Sequence, residues 1–301
     1  MHRAIAVWLT ARPWRAAVAS AFCGALAPQM PVPFMVLAGA IPVLMALRFE
    51  AKLALAIAAT AAAAAMWVVL SVASKAHWIA LGMLVLVMGP VLLALLLRST
   101  RSLNLCFQVA VLCSAVVLLI VYAALPDPEV VWVQALKTVL DSMAAAGMPI
   151  EGDVAAKALL LARTMWGAVV ALTLGMVMGS LFLGGWWQSL LQAPGSFGAE
   201  YRCLRLGRVL GIGVTVLFVA ALLGNSGLVS SLALVAFTAL SFQGLAAAHR
   251  SKAGGKLNRG WLAAIYVALI VPLSTSITVF VLALWGFADN WLRPQARSAS
   301  L

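Results

Sequence analysis

The sequence predicts an all-α fold: a polytopic transmembrane bundle of about eight or nine apolar helices, the first two short, with one amphipathic helix outside the membrane. Three observations predict it. Of 301 residues, 65% are hydrophobic and 9% charged, whereas a soluble domain is about half apolar and about a quarter charged. That little charge cannot coat a water-facing surface of this size, and the mean hydropathy is +1.08. The apolar residues also run in segments of about twenty, the length that crosses about 30 Å of hydrocarbon at about 1.5 Å per residue. No polar stretch is long enough to fold as a second core, so residues 1–301 read as a single transmembrane domain.

The elements follow in order. Ala4 to Leu9 is too short for the apolar region of a cleavable signal, and Arg12 and Arg15 interrupt it. Pro28, Pro31 and Pro33 divide the next apolar stretch into two short helices, about 15–28 and 33–47, because proline lacks an amide donor and breaks helices. Further apolar segments cover about 52–73, 77–97 and 103–124. Residues 125–157 differ: they hold five of the eight acids, Asp127, Glu129, Asp141, Glu151 and Asp153. Asp127 and Pro128 suit a helix start there and Gly147 suits its end. Val133, Leu136, Leu140 and Met143 form an apolar stripe at helical spacing, so this helix lies at the interface. A sixth apolar segment covers about 158–187, with Trp166, Trp186 and Trp187 as interfacial anchors. The seventh and eighth, about 207–223 and 227–247, flank a turn of Gly224, Asn225 and Ser226. The ninth covers 261–285, with Pro272 in its middle.

Charge sets the orientation. Twenty Lys and Arg against eight Asp and Glu leave a net charge of +12. The basic residues cluster at every second connection: Arg3, Arg12 and Arg15; Arg48 and Lys52; Arg98 and Arg101; Arg202, Arg205 and Arg208; Arg250, Lys252, Lys256 and Arg259. Short loops rich in Lys and Arg stay cytoplasmic. The N-terminus and the basic loop 188–208 are therefore expected inside, and the acidic loop 125–157 outside. Three counts bear on the C-terminus, one of which takes the first two short helices as a single crossing and so changes the side of the acidic loop unless another count changes too. Nine crossings put Arg293 and Arg297 outside, whereas a segment that breaks at Pro272 and turns back keeps them inside. The basic excess fits anionic lipid headgroups of the bilayer, and nucleic acid is not an expected partner.

No catalytic constellation is visible, so no enzyme, catalytic residue or cofactor is expected. His2, His77 and His249 lie at segment ends or in loops, no hydrolase or nucleotide motif appears, and no carboxylate lies deep in an apolar segment. Cys23, Cys106, Cys113 and Cys203 show no metal-ligand spacing, so no metal is expected. Three features remain. Pro272, Ser274, Thr275 and Ser276 make a broken, polar stretch at mid-depth of the last segment, and with Gln108 and Gln243 they are candidates to line a ligand cavity. Helix packing within the chain accounts for the same residues. Small residues one turn apart let helices approach closely: Ala17, Ala21 and Ala25, Gly175 and Gly179, and Gly207 and Gly211 pack either within the chain or against a partner helix. Arg202 and Arg205, with Asp289 and Arg293, complete the candidate docking surfaces.

The stretches PGSFGAEYRCLRLGR (194–208) and GFADNWLRPQAR (286–297) resemble the cytoplasmic loop and C-terminal signature of the YybS-like bacterial membrane proteins. Asp289, Trp291 and Arg293 match the closing pattern of that family. The resemblance implies the bacterial cytoplasmic membrane and supplies no catalytic residues. The family is similar in architecture to the substrate-binding subunits of energy-coupling-factor transporters, which dock a membrane coupling protein through small residues of the first helix. Ala17, Ala21 and Ala25 would be the matching feature, although such subunits are shorter. Two roles follow as expectations: a solute-binding or transport-related component of unnamed substrate, or a membrane assembly and docking factor.

Overall fold

The computed structural model describes residues 2–72, 77–148, 153–224 and 226–292. Glu151, Asn225, Arg293 and Arg297 lie outside the described residues. Among the described residues there are thirteen α-helices and no strand: α1 (His2–Ala11), α2 (Pro13–Leu26), α3 (Pro31–Arg48), α4 (Ala51–Val72), α5 (His77–Thr100), α6 (Leu103–Ala124), α7 (Val130–Ala145), α8 (Val154–Gln192), α9 (Ser196–Tyr201), α10 (Arg208–Leu223), α11 (Gly227–Ala253), α12 (Arg259–Ile270) and α13 (Pro272–Leu292). Seven of them, α3, α4, α5, α6, α8, α11 and α13, are long and apolar enough to cross a membrane. The chain is a multi-pass integral membrane protein.

Two expected spans have different limits in the structure. The segment expected at 158–187 is a helix of 39 residues, about 58 Å long at about 1.5 Å per residue, nearly twice the thickness of the hydrocarbon. Nothing between Val154 and Gln192 stops it. Asp153 Oδ1 accepts the Ala155 N–H at 2.8 Å at its start, and Pro194 and the left-handed Gly195 (φ +94°) follow its end. The segment expected at 261–285 is two helices, because Pro272 has no N–H to continue α12. Asn258 starts α12 by accepting the Trp261 N–H at 3.0 Å. The amphipathic helix is α7: its expected stripe residues Val133, Leu136 and Leu140 are half-buried, most of the rest is exposed, and Gly147 follows it at φ +80°.

The contacts group the chain into two compact units, residues 1–110 with 173–203, and residues 111–172 with 204–301. Of the three divisions, two fall inside helices, α6 and α8, and the third falls between α9 and α10. In the first unit α2, α3, α4 and α5 pack on one another. The inward face of α2 is Ala16, Ser20 and Gly24. A Cβ at Gly24 would collide with the Ala61 backbone, its Cα 3.2 Å away, so only glycine permits this approach of α4. Ser20 Oγ donates to Ala38 O of α3 at 2.8 Å. The end of α8 lies on α3 through Gly184, whose Cβ would come within 2.8 Å of Ala40 O, and Ser180 Oγ donates to Val36 O at 3.1 Å.

In the second unit α11 crosses α13 where Gly244 faces Gly286. A Cβ on Gly244 would lie 2.7 Å from the Leu282 carbonyl carbon, and one on Gly286 would lie 2.8 Å from Gly244 N. Backbone meets backbone there, which is how helices gain dispersion energy where lipid offers no hydrophobic drive. Gly244→Ala forces the two helices apart and lowers the unfolding temperature in detergent, at a cost on the order of 1–3 kcal/mol. Gly175→Ala, whose Cβ meets nothing within 4 Å, does not lower it. Equal unfolding temperatures for the two variants would refute this account of the crossing.

Candidate functional site

The first unit holds a cavity of about 430 Å³ where α3, α5, α8 and α9 end together. Its charged and polar lining is Arg98, Arg101, Gln188, Ser189, Gln192, Ser196 and Glu200, over apolar Leu47, Leu97 and Phe197. Each wall has a local cause. The Pro194–Gly195 turn reverses the chain after α8 and folds α9 back on it. Phe197 then lies against α8 beside Gly185, where a Cβ would come within 3.1 Å of the ring. Phe182, Phe197 and Tyr201 stack as one aromatic cluster, with centroids 5.1 to 6.1 Å apart, which fixes Glu200 over the cavity.

The arginines differ in what holds them. The Arg98 guanidinium donates to Ala46 O at 3.1 Å and to Phe49 O, so it caps carbonyls left open at the end of α3. Arg101 follows α5 with its N–H on Leu97 O at 2.8 Å and its backbone at φ +52°, the one non-glycine residue with positive φ among the described residues. That conformation costs an L-residue roughly 1–2 kcal/mol, and helix ends usually place glycine or asparagine there. Neither arginine forms an ion pair with Glu200. Burial raises the Glu200 carboxyl above its ordinary pKa. Gln188 Oε1 is sheltered from solvent and accepts no hydrogen bond. The cavity thus presents a cation and a partly desolvated carboxyl to solutes.

The candidate residues of the sequence assemble elsewhere, in the second unit. Gln243 is fully buried. Its Oε1 accepts the Leu206 N–H at 3.0 Å, and its Nε2 donates to Asp289 Oδ2 at 3.3 Å and Asn290 Oδ1 at 3.5 Å. Asn290 exchanges two hydrogen bonds with the Gly207 backbone, each 3.2 Å, and Arg205 donates to Asn290 O at 3.1 Å. Asp289 pairs with Arg250. Gly211 packs on the Asn290 amide. One proposed cavity residue and four proposed docking residues therefore share a single knot that ties the chain ahead of α10 to α11 and α13. Its members spend most of their polar groups on one another.

The other candidates are apart from it. Pro272 leaves Ala268 O without its helical donor, and Ser274 Oγ takes that place at 2.9 Å. Thr275 Oγ1 donates to Leu269 O at 3.1 Å and Val271 O at 2.8 Å, so both hydroxyls repair the break in their own backbone. Ser276 is exposed. Gln108 is half-buried on α6, in the first unit. Ala17, Ala21 and Ala25 are half-buried, one position round from the inward face of α2. Gly175 meets no neighbour, and Gly179 has ordinary contact with Val36 at 3.4 Å. Arg202 is half-buried after α9. Among the described residues no three of His, Cys, Asp and Glu gather as metal ligands. Sequence reasoning did not single out Gln188, Gln192 or Glu200 as lining residues, although the basic loop 188–208 spans all three.

No protein-family model matches the chain, and no curated protein or solved structure matches it significantly.

Two measurements test the strain and the charge at the cavity. Arg101→Gly removes the left-handed penalty, so it raises the unfolding temperature, by about 1 kcal/mol of stability; a fall would show that the guanidinium stabilises the fold. At Glu200 burial favours the neutral carboxyl, so the folded chain binds that proton more tightly than the unfolded chain. The native state then loses stability as pH rises from the ordinary carboxylate range through the raised value. Glu200→Gln escapes this loss. Its unfolding temperature exceeds the parent's at neutral pH, and the gap closes below about pH 4. A gap that is independent of pH would rule out burial of the charge as its cause.

Proposed function

We propose that the protein is a solute-binding or transport-related component of the bacterial cytoplasmic membrane, and that the cavity between the ends of α5 and α8 is its binding pocket. The observation that carries this reading is Arg101. A strained arginine stands where glycine would cost less, and it lines a cavity in which the Glu200 carboxyl has no ion pair. Strain of this kind persists where a side chain is needed for something other than the fold. The volume, about 430 Å³, lies within the range of small-molecule sites. The basic loops around it suit a pocket that opens on the cytoplasmic side of the bilayer. The resemblance of the two loops to YybS-like proteins, and through them to transporter substrate-binding subunits, supports the same assignment and adds a membrane coupling protein as the expected partner.

The test is a screen of water-soluble metabolites by thermal unfolding of the detergent-purified protein. A solute that fills the pocket at a hundred times its Kd adds about 2.7 kcal/mol of stability, and Arg101→Gly abolishes that ligand-induced shift. A broad library in which no solute shifts the parent, or shifts that survive unchanged in Arg101→Gly, would overturn the reading and favour an assembly role instead.

A further inference from the structure

We propose that the pocket selects a small zwitterion, with its anionic group on Arg101 and its ammonium on Glu200; this rests on the reading of the cavity as a solute site. The cue is that opposite charges line one cavity and do not meet. Arg98, Arg101 and Glu200 share the lining, yet no ion pair joins them. The aromatic cluster under α9 holds Glu200 on one wall, and the left-handed turn after α5 holds Arg101 on another. The two charged side chains thus leave from different elements, and both residues are exposed.

Each end has its own recognition chemistry. Arg98 spends hydrogen bonds on Ala46 O and Phe49 O, whereas Arg101 makes no side-chain hydrogen bond or ion pair among the described residues, so its planar fork is available for a carboxylate or phosphate. At the other end the group on offer is a carboxyl. The Glu200 carboxyl is raised by burial, a penalty that a bound ammonium would reverse by favouring the ionised form. A simple anion would leave Glu200 unanswered, and a simple cation would leave Arg101 unanswered. A molecule carrying both charges satisfies both groups. That chemistry occurs in free amino acids and phosphoamines and also in the headgroup of phosphatidylethanolamine.

The experiment measures ligand-induced shifts in unfolding temperature for the full chain in detergent, with glycine and O-phosphoethanolamine as zwitterions, inorganic phosphate as the anion and ethanolamine as the cation. A zwitterion is expected to bind at least about tenfold more tightly than either single charge, since each charge-assisted bond contributes that much or more. Arg101→Gly and Glu200→Gln each weaken it about tenfold, and Glu200→Gln leaves the weaker phosphate binding intact. Repeating the titration in phosphatidylethanolamine and phosphatidylglycerol nanodiscs separates the sources. Competition only by the first lipid identifies the headgroup, and equal shifts in both identify the free solute. If phosphate binds as tightly as the zwitterions, or if Glu200→Gln changes nothing, the zwitterion is wrong while the pocket stands. If these probes fail but other library solutes give shifts that depend on Arg101, the outcome is the same. Only the failure of every solute removes both.

Discussion

Hydrocarbon supplies no hydrogen bonds, and the rest of this structure depends on that constraint. Every backbone amide in a crossing segment must be satisfied within the chain, which explains why the described residues hold helices and no strands. The same rule governs the polar side chains inside the helices. Thr215 donates to Gly211 O and Thr238 to Leu234 O, one turn back on their own helices. Ser241 bonds Phe237 O and also Val279 O across the α11–α13 crossing. Where Pro272 breaks the ladder, Ser274 and Thr275 fill the gap rather than leave carbonyls exposed to lipid. Packing then follows from backbone proximity, and glycine sets it at Gly24, Gly184, Gly244 and Gly286.

That constraint also decides how much was legible in the sequence. The helical class and most span limits follow from the length and continuity of apolar runs, which the bilayer dictates one segment at a time. Segments at 52–73, 103–124 and 207–223 therefore match α4, α6 and α10 closely. The choice of packing face is a property of two helices, and one sequence stretch does not contain it. Ala17, Ala21 and Ala25 have the right spacing, yet Ala16, Ser20 and Gly24 turn inward, because Gly24 is where α4 fits. Gly175 and Gly179 make a conventional small-residue pair with no close neighbour, while Gly244, one turn from Ala248, and Gly286 make a backbone-to-backbone contact.

The candidate residues divide for the same reason. Gln243, Arg205, Gly207, Gly211 and Asp289 stand out in sequence because each is polar, charged or small in an apolar setting. The structure gives them a shared task of neutralising one another, with Asn290 as the hub that composition does not reveal. Arg101 and Glu200 look like ordinary loop charges in sequence. What sets them apart is backbone geometry and the absence of a partner, neither of which has a sequence signature.

The contrast between the two groups separates structure from function in this protein. In the knot of the second unit, Asp289 has Arg250 and Gln243, and Asn290 has Gly207 on both sides. Polar groups that bond one another have little left to offer a ligand. In the cavity of the first unit the reverse holds. A carboxyl faces the same space as two guanidinium groups without closing on either, an amide oxygen is sheltered and idle, and an arginine tolerates an unfavourable backbone to be there. Selection for stability alone would favour glycine at 101 and a neutral residue at 200. Charge at both positions is costly to the fold, and the proposed solute, by answering both charges, would offset that cost.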